Sequence, residues 1–116
     1  MHFGAHANLV ILLDELQKFH LAKQRAKEAL KVFPHKPDFH FHLANIYGKT
    51  NNFVEAEKAF EIVIQMNPND SIYYVNFGVL YHRWKKLDKA KTMYENALKI
   101  NPKNSSARKN LNSIIK

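Results

Sequence analysis

The residues with the most chemical potential in this 116-residue chain stand in a row at one fixed interval: Asn8, His42, Asn76 and Asn110, each 34 residues from the next. A carboxamide offers two N–H donors and a carbonyl acceptor, so a line of them can hold the backbone of an extended peptide without reading its side chains. One rung of that ladder is a histidine. The alternative meaning of the same pattern is a solvated polar position that repeats because the fold repeats. Other chemistries are poorly served. Seven histidines invite a metal, but His2 and His6 could share a helix face, His40 and His42 could not, and no carboxylate completes a set. The chain has no cysteine and only three glycines, so thiolate metal sites and glycine-rich phosphate loops are excluded. No nucleophile, base and orienting group stand in a workable arrangement, so these residues are not expected to catalyse a reaction or to need a cofactor.

The interval itself comes from the elements that must position the row. Pro34, Pro68 and Pro102 are also 34 residues apart, and each follows an amphipathic stretch that a proline would terminate. This is the tetratricopeptide period. It divides the chain into units 3–36, 37–70 and 71–104, with 105–116 left over as one further first helix. Ala22, Ala56 and Ala90 recur at the same interval, as do Leu30, Ile64 and Leu98, and Phe19, Phe53 and Leu87. The fold class expected is all-α: a right-handed superhelical solenoid of three helix pairs with a C-terminal capping helix. Helices are expected near 4–17, 20–33, 38–50, 53–67, 71–84, 87–101 and 105–115.

Small residues at Ala44, Gly78, Ala22, Ala56, Ala90, Ala29 and Ala97 let helix backbones approach closely. Around them Leu9, Leu13, Leu43, Tyr47, Phe60, Phe77, Tyr81 and Tyr94 recur at steps of three, four and seven and form the expected core stripe. The first repeat departs from the pattern. Val10 stands where the others have Ala44 and Gly78, and Ala26 stands where they have Phe60 and Tyr94, so this repeat should pack less regularly. Asn67-Pro68-Asn69-Asp70 and Asn101-Pro102-Lys103-Asn104 combine a helix stop with N-cap residues for the next helix, and Pro37 suits a first helical turn. The last helix should present Leu111 and Ile115 inward and Arg108, Lys109 and Lys116 to solvent. The chain's start reads as cut within a first helix, and its end as a natural cap.

In a solenoid of helix pairs the first helices line the inner face, so binding residues are sought on the first helices outside the core stripe. These are Asn8, His42, Asn45, Lys49, Asn76, Arg83 and Asn110, with Phe41, Val75 and Val79 offering apolar contacts to a ligand side chain. A clamp for a terminal carboxylate needs lysines where Phe41 and Ser106 stand, and a lysine or arginine where Asn110 stands. With Asn45 and Asn76 alone in place it is half built, and capture of a chaperone tail is not expected.

Charge is uneven along the chain. Six basic residues face three acidic ones over 1–36, two face five over 37–70, seven face two over 71–104, and the tail adds three basic residues. The acidic middle argues against nucleic acid as partner. The run Lys85, Lys86, Lys89 and Lys91 reads first as solvated charge at a turn and outer helix, and Trp84 beside it as packed over that turn. No apolar run approaches a membrane span, so this segment is not expected to contact a membrane. The oligomeric state is not legible.

Three segments are more particular than the repeat demands: Ile11-Leu12-Leu13-Asp14, His42-Leu43-Ala44-Asn45-Ile46-Tyr47-Gly48-Lys49 and Gly78-Val79-Leu80-Tyr81-His82-Arg83-Trp84. They resemble the C-terminal repeats of the transmembrane-and-tetratricopeptide O-mannosyltransferases of the endoplasmic reticulum, most closely the fourth of the paralogous groups. Lys85-Lys86 departs from that likeness. The resemblance implies a membrane-spanning parent that moves mannose from dolichyl-phosphate mannose to Ser or Thr, with luminal repeats engaging acceptor proteins such as cadherin-type domains. None of its catalytic residues would lie in this chain. The sequons Asn69-Asp70-Ser71 and Asn104-Ser105-Ser106 fit a lumen. Three readings compete: a module that orients an acceptor polypeptide for an attached glycosyltransferase, a cytosolic scaffold for an acidic protein, and, last, a nucleic-acid adaptor.

Overall fold

The computed structural model describes residues 18–115, and within them every regular element is an α-helix. In chain order these are α1 (Phe19–Val32), α2 (Pro37–Lys49), α3 (Phe53–Met66), α4 (Ser71–Arg83), α5 (Leu87–Ile100) and α6 (Ser105–Ile115). They fall into two compact units divided after Met66. Asn8, Leu9, Val10, Leu13, His2, His6 and the helix expected over 4–17 lie outside the described residues, as does Lys116.

In the first unit α1 packs on α2 and α2 on α3. The face α1 buries is made of alanines, Ala22, Ala26 and Ala29, set against Phe39, Leu43 and Ile46 of α2. Three methyl-sized side chains on one stripe let the α1 backbone lie close to the rings of α2. Phe33, just past the end of α1, stacks on Phe39 at 6.1 Å between ring centroids. On the other side α3 contributes Ala56, Ala59, Phe60 and Val63, all buried.

The second unit repeats the scheme with larger rings. Along α4, Phe77 stacks on Tyr81 at 4.7 Å and Tyr81 on Trp84 at 6.3 Å. From α5 come Ala90, Tyr94 and Ala97, each fully buried. At Gly78, α4 lies directly against the Tyr94 ring of α5. A Cβ placed on it would lie 2.5 Å from Cε1 and 2.7 Å from Cδ1 of Tyr94. One register earlier the same two positions hold Ala44 and Phe60, both buried. The residue on the first helix shrinks as the ring on the second grows, which conserves volume at the contact.

The turns between paired helices have a form that the sequence reading did not anticipate. Asn51 and Lys85, again 34 apart in sequence, both take positive φ, 63° and 62°. Asn51 N–H donates to the Gly48 carbonyl and Asn52 N–H to that of Tyr47; Lys85 N–H donates to His82 and Lys86 N–H to Tyr81. These are paired 5→2 and 6→1 bonds around a left-handed residue, the Schellman closure of a helix C-terminus. Asparagine tolerates that backbone well. Lysine does so at a cost.

Asp70 and Asn104 cap the helices that follow them, as expected. The Asp70 carboxylate accepts from Ile72 N–H at 3.0 Å, and Asn104 Oδ1 accepts from Ala107 N–H at 3.1 Å. Pro37 opens α2. At the far end the expectation fails in part. Ala107 is buried and Leu111 half-buried, but Ile115 is 57% exposed. The register partner of Ile115 is Tyr81, which is covered by α5 with Lys89 Nζ 5.6 Å from its ring centre. The last turn of α6 has no such cover among the described residues.

Candidate peptide-binding site

Each of the described first helices carries one exposed line, reached by steps of four and three residues, a spacing that keeps side chains on a single helical face. On α2 the line is Asp38, His42, Asn45 and Lys49; on α4 it is Ile72, Asn76, Val79 and Arg83; on α6 it continues as Ser106, Asn110 and Ser113. All of these side chains are half-buried or exposed. The six expected binding residues that are described therefore do lie on the outward line of their helices. The seventh, Asn8, lies outside the described residues.

Their surroundings differ. His42 sits among rings, 6.5 Å from Phe39 and 6.2 Å from Phe41 between centroids, so its imidazole is held by its own helix. Asn45 and Asn110 make no side-chain hydrogen bond among the described residues, which leaves both amides available to a ligand. Asn76 is partly committed. Its Nδ2 donates to the Ile72 carbonyl at 2.9 Å, which fixes the rotamer and leaves Oδ1 and one N–H open. Neighbouring His40 is pulled below its ordinary pKa by burial, which disfavours protonation of its imidazole.

In the second unit Asn76 faces a depression of about 210 Å³ lined by Ile72, Val75, Asn76, Asn104 and Ser106. Two α4 side chains supply its apolar wall, Asn76 its side-chain amide, and the start of α6 its polar edge. Its size and lining would suit a short stretch of main chain with one small side chain. It has no charged floor and no group with a pKa suited to acid–base chemistry.

Two of the three apolar contacts expected for a ligand are less open than the third. Val75 is 8% exposed and reaches the depression only as part of its wall, and the Phe41 ring packs edge-on against Phe60 at 6.3 Å. Val75 is thus mostly covered, while Phe41 is half-buried with its ring shared with Phe60 of the second helix. Val79 is exposed as expected, and Ile72, 55% exposed, is the contact that sequence reasoning missed. The signal was present. Its register partners are Asp38 and Ser106, both polar, which marks the position as outward-facing whatever occupies it.

The sequons turn out to be joined. Asn104 Nδ2 donates to Ser71 Oγ at 3.0 Å, so the asparagine of the second holds the hydroxyl of the first, and Ser71 is 7% exposed. Asn69 itself is exposed.

A family model described as tetratricopeptide repeat matches residues 12–76, and a second with the same description matches 72–104. Over 104 residues the chain is 27% identical to a protein O-mannosyl-transferase of Caenorhabditis elegans, covering 90% of this chain and 15% of that protein. A shorter stretch of 39 residues is 51% identical to protein O-mannosyl-transferase TMTC4 of Mus musculus, covering 34% of this chain and 5% of that one. Anaphase-promoting complex subunit 3 of Schizosaccharomyces pombe is 28% identical over 92 residues, or 79% of this chain and 14% of its own length. The chain thus spans about one seventh of the longer relatives. Among solved structures, the first such domain of Spaghetti (RPAP3) bound to an HSP90 peptide superposes with a TM-score of 0.87 at 21% identity, covering 97% of this chain and 89% of that one. At that identity the likeness shows the fold, which is the all-α helix-pair class expected.

Proposed function

Because the chain belongs to the tetratricopeptide repeat family, we propose that it is a protein-interaction module that takes an extended polypeptide along the exposed lines of α4 and α6. The observation that carries this reading is the Asn76 depression, where an amide pinned by the Ile72 carbonyl presents its remaining acceptor and donor between an exposed isoleucine and the cap of the next helix. An extended peptide pairs its main chain with such groups and places alternate side chains in the apolar wall. The repeats are a binding fold and not a catalytic one.

The finer reading is that these repeats serve a protein O-mannosyltransferase in the lumen of the endoplasmic reticulum, engaging acceptors such as cadherin-type domains. It draws support from the Caenorhabditis elegans and Mus musculus relatives and from the exposed Asn69 sequon. A cytoplasmic or nuclear scaffold is the second reading, favoured by the anaphase-promoting complex relative. No helix of the described residues is long and apolar enough to cross a membrane.

The test uses an unmannosylated cadherin repeat titrated into the isotope-labelled chain. Amide shifts at Ile72, Asn76, Val79 and Asn110 are expected, and Asn76→Ala with Asn110→Ala should weaken binding by roughly tenfold, about the loss of one or two net hydrogen bonds. Helicity should not change. Binding unaltered by both substitutions would overturn the groove, and no binding by the cadherin repeat would remove the finer reading.

A further inference from the structure

A second surface, on the turn between α4 and α5 and the start of α5, is not used by the groove. Over residues 83–91 the chain carries five cations, Arg83, Lys85, Lys86, Lys89 and Lys91, against one acid, Asp88. Three of them, Lys85, Lys86 and Lys89, line one open depression of about 340 Å³ with Leu87 and Asp88. A second depression of about 330 Å³ adjoins it through Asp88 and Lys89 and is lined further by Tyr81, Thr92 and Met93. Neither Lys85, Lys86 nor Lys89 forms an ion pair among the described residues. Leu87 is exposed beside them.

Two features separate this patch from ordinary solvated charge. Its lysines are positioned: Lys86 Nζ lies 3.7 Å from the centre of the Trp84 ring and Lys89 Nζ 5.6 Å from that of Tyr81, contacts that restrict long flexible side chains. The backbone also bears strain there. Lys85 occupies a left-handed turn position at φ 62°, where the preceding turn uses Asn51. A residue kept in a sparsely populated conformation is a pointer toward function.

We propose that this surface docks an acidic protein segment, its carboxylates over Lys85, Lys86 and Lys89 and one apolar side chain in the depression between Tyr81 and Met93. The charge pattern selects the sign, and the apolar floor selects a peptide over other polyanions. Nucleic acid would require open aromatic faces for bases to stack on, yet Tyr81 is buried between Phe77 and Trp84, and Trp84 is itself occupied by Tyr81 and Lys86. An anionic membrane would require a broad apolar face to insert, and Leu87 is the single exposed large apolar residue lining these depressions. Asp88 opposes the partner's charge and sets a limit on affinity.

Trp84 is the single tryptophan of the chain, so it reports on the site directly. The probe is a ten-residue peptide of glutamates and aspartates with one central leucine, followed both by Trp84 emission and by anisotropy of a fluorescein label on the peptide. Saturable binding is expected, weakening about tenfold between 50 and 300 mM salt, as rim charges dictate. K86E combined with K89E should abolish it, Asp88→Asn should tighten it severalfold, and replacing the peptide's leucine by serine should weaken it severalfold. Lys85→Asn removes a charge while relaxing the turn, so weaker binding by that variant cannot be ascribed to a damaged fold. Binding that survives K86E with K89E, or that ignores the leucine, overturns the proposal. So does tighter binding of a twenty-nucleotide single-stranded DNA or of phosphatidylserine vesicles, which would assign the patch to those partners.

Discussion

Gly78→Ala adds one methyl group, and its outcome depends on which of two opposed effects is larger. In the interior of an exposed helix the change would stabilise by about 1 kcal/mol, because glycine loses more backbone freedom on folding than alanine. At position 78 the new Cβ would enter the Tyr94 ring, 2.5 Å from Cε1 and 3.0 Å from Cζ. That ring has nowhere to go: Tyr94 is 0% exposed and packed on all sides. Forcing a methyl group into a filled core costs roughly 1–3 kcal/mol, so after the helix gain the net loss should be about 1 kcal/mol or a little more. In urea titrations followed by far-ultraviolet circular dichroism, the midpoint should fall with unchanged slope. Tyr94→Phe in the same chain rebuilds the pair that Ala44 and Phe60 form one register earlier. The shortened ring can shift into the space the hydroxyl vacates, and the cost of Gly78→Ala should then fall by about 1 kcal/mol, a coupling that a double-mutant cycle reads directly. A Gly78→Ala variant as stable as the parent would refute the close-contact argument, and an additive cycle would refute the volume exchange between the two positions.

Tyr94→Phe alone should be neutral or stabilising by up to about 1 kcal/mol, since the Tyr94 hydroxyl is buried without a hydrogen-bond partner. Burial also pushes the Tyr94 phenol up to about 12; because the folded value lies above the unfolded one, its contribution is intact below pH 10 and disappears as pH rises toward 12, so parent stability should fall over that window faster than that of the Phe variant. Asn104→Ala should cost about 2 kcal/mol by denaturant titration, combining a lost N-cap with a buried Ser71 hydroxyl left without its donor, whereas Ser71→Ala should cost less than half as much. Lys85→Asn should raise the free energy of unfolding by roughly 0.5 kcal/mol, read as a higher urea midpoint at unchanged slope, as the left-handed turn position accepts asparagine more readily.

The helix pairs were legible because proline stops and small residues recur at one interval, and a period of that length has few physical causes. Helix ends came within one or two residues, since Asp70 and Asn104 announce the helices they cap. The paired-helix turns were not legible, because their usual mark is glycine and here Asn51 and Lys85 take the left-handed position instead. At the site, the outward position of Asn45, Asn76 and Asn110 followed from register, but the commitment of Asn76 to the Ile72 carbonyl did not, since it depends on a side-chain rotamer. How far Val75 and Phe41 are covered was not legible either, because apolar character alone does not tell an open groove wall from a largely covered one.

The bond between Asn104 and Ser71 has a kinetic side. Helix α6 has a single fully buried residue, Ala107, and ends on an exposed isoleucine, so it is the element of the second unit with the least buried to hold it. Its opening should be the lowest-energy excursion available there, reached long before global unfolding. When it opens, Asn104 leaves with it and the Ser71 hydroxyl at the start of α4 loses its donor. Slow hydrogen exchange should therefore vanish from α6 before it does from α4, whose first turn is held by Asp70, and a polypeptide seated in the Asn76 depression, which borrows walls from both, would slow exchange in α6.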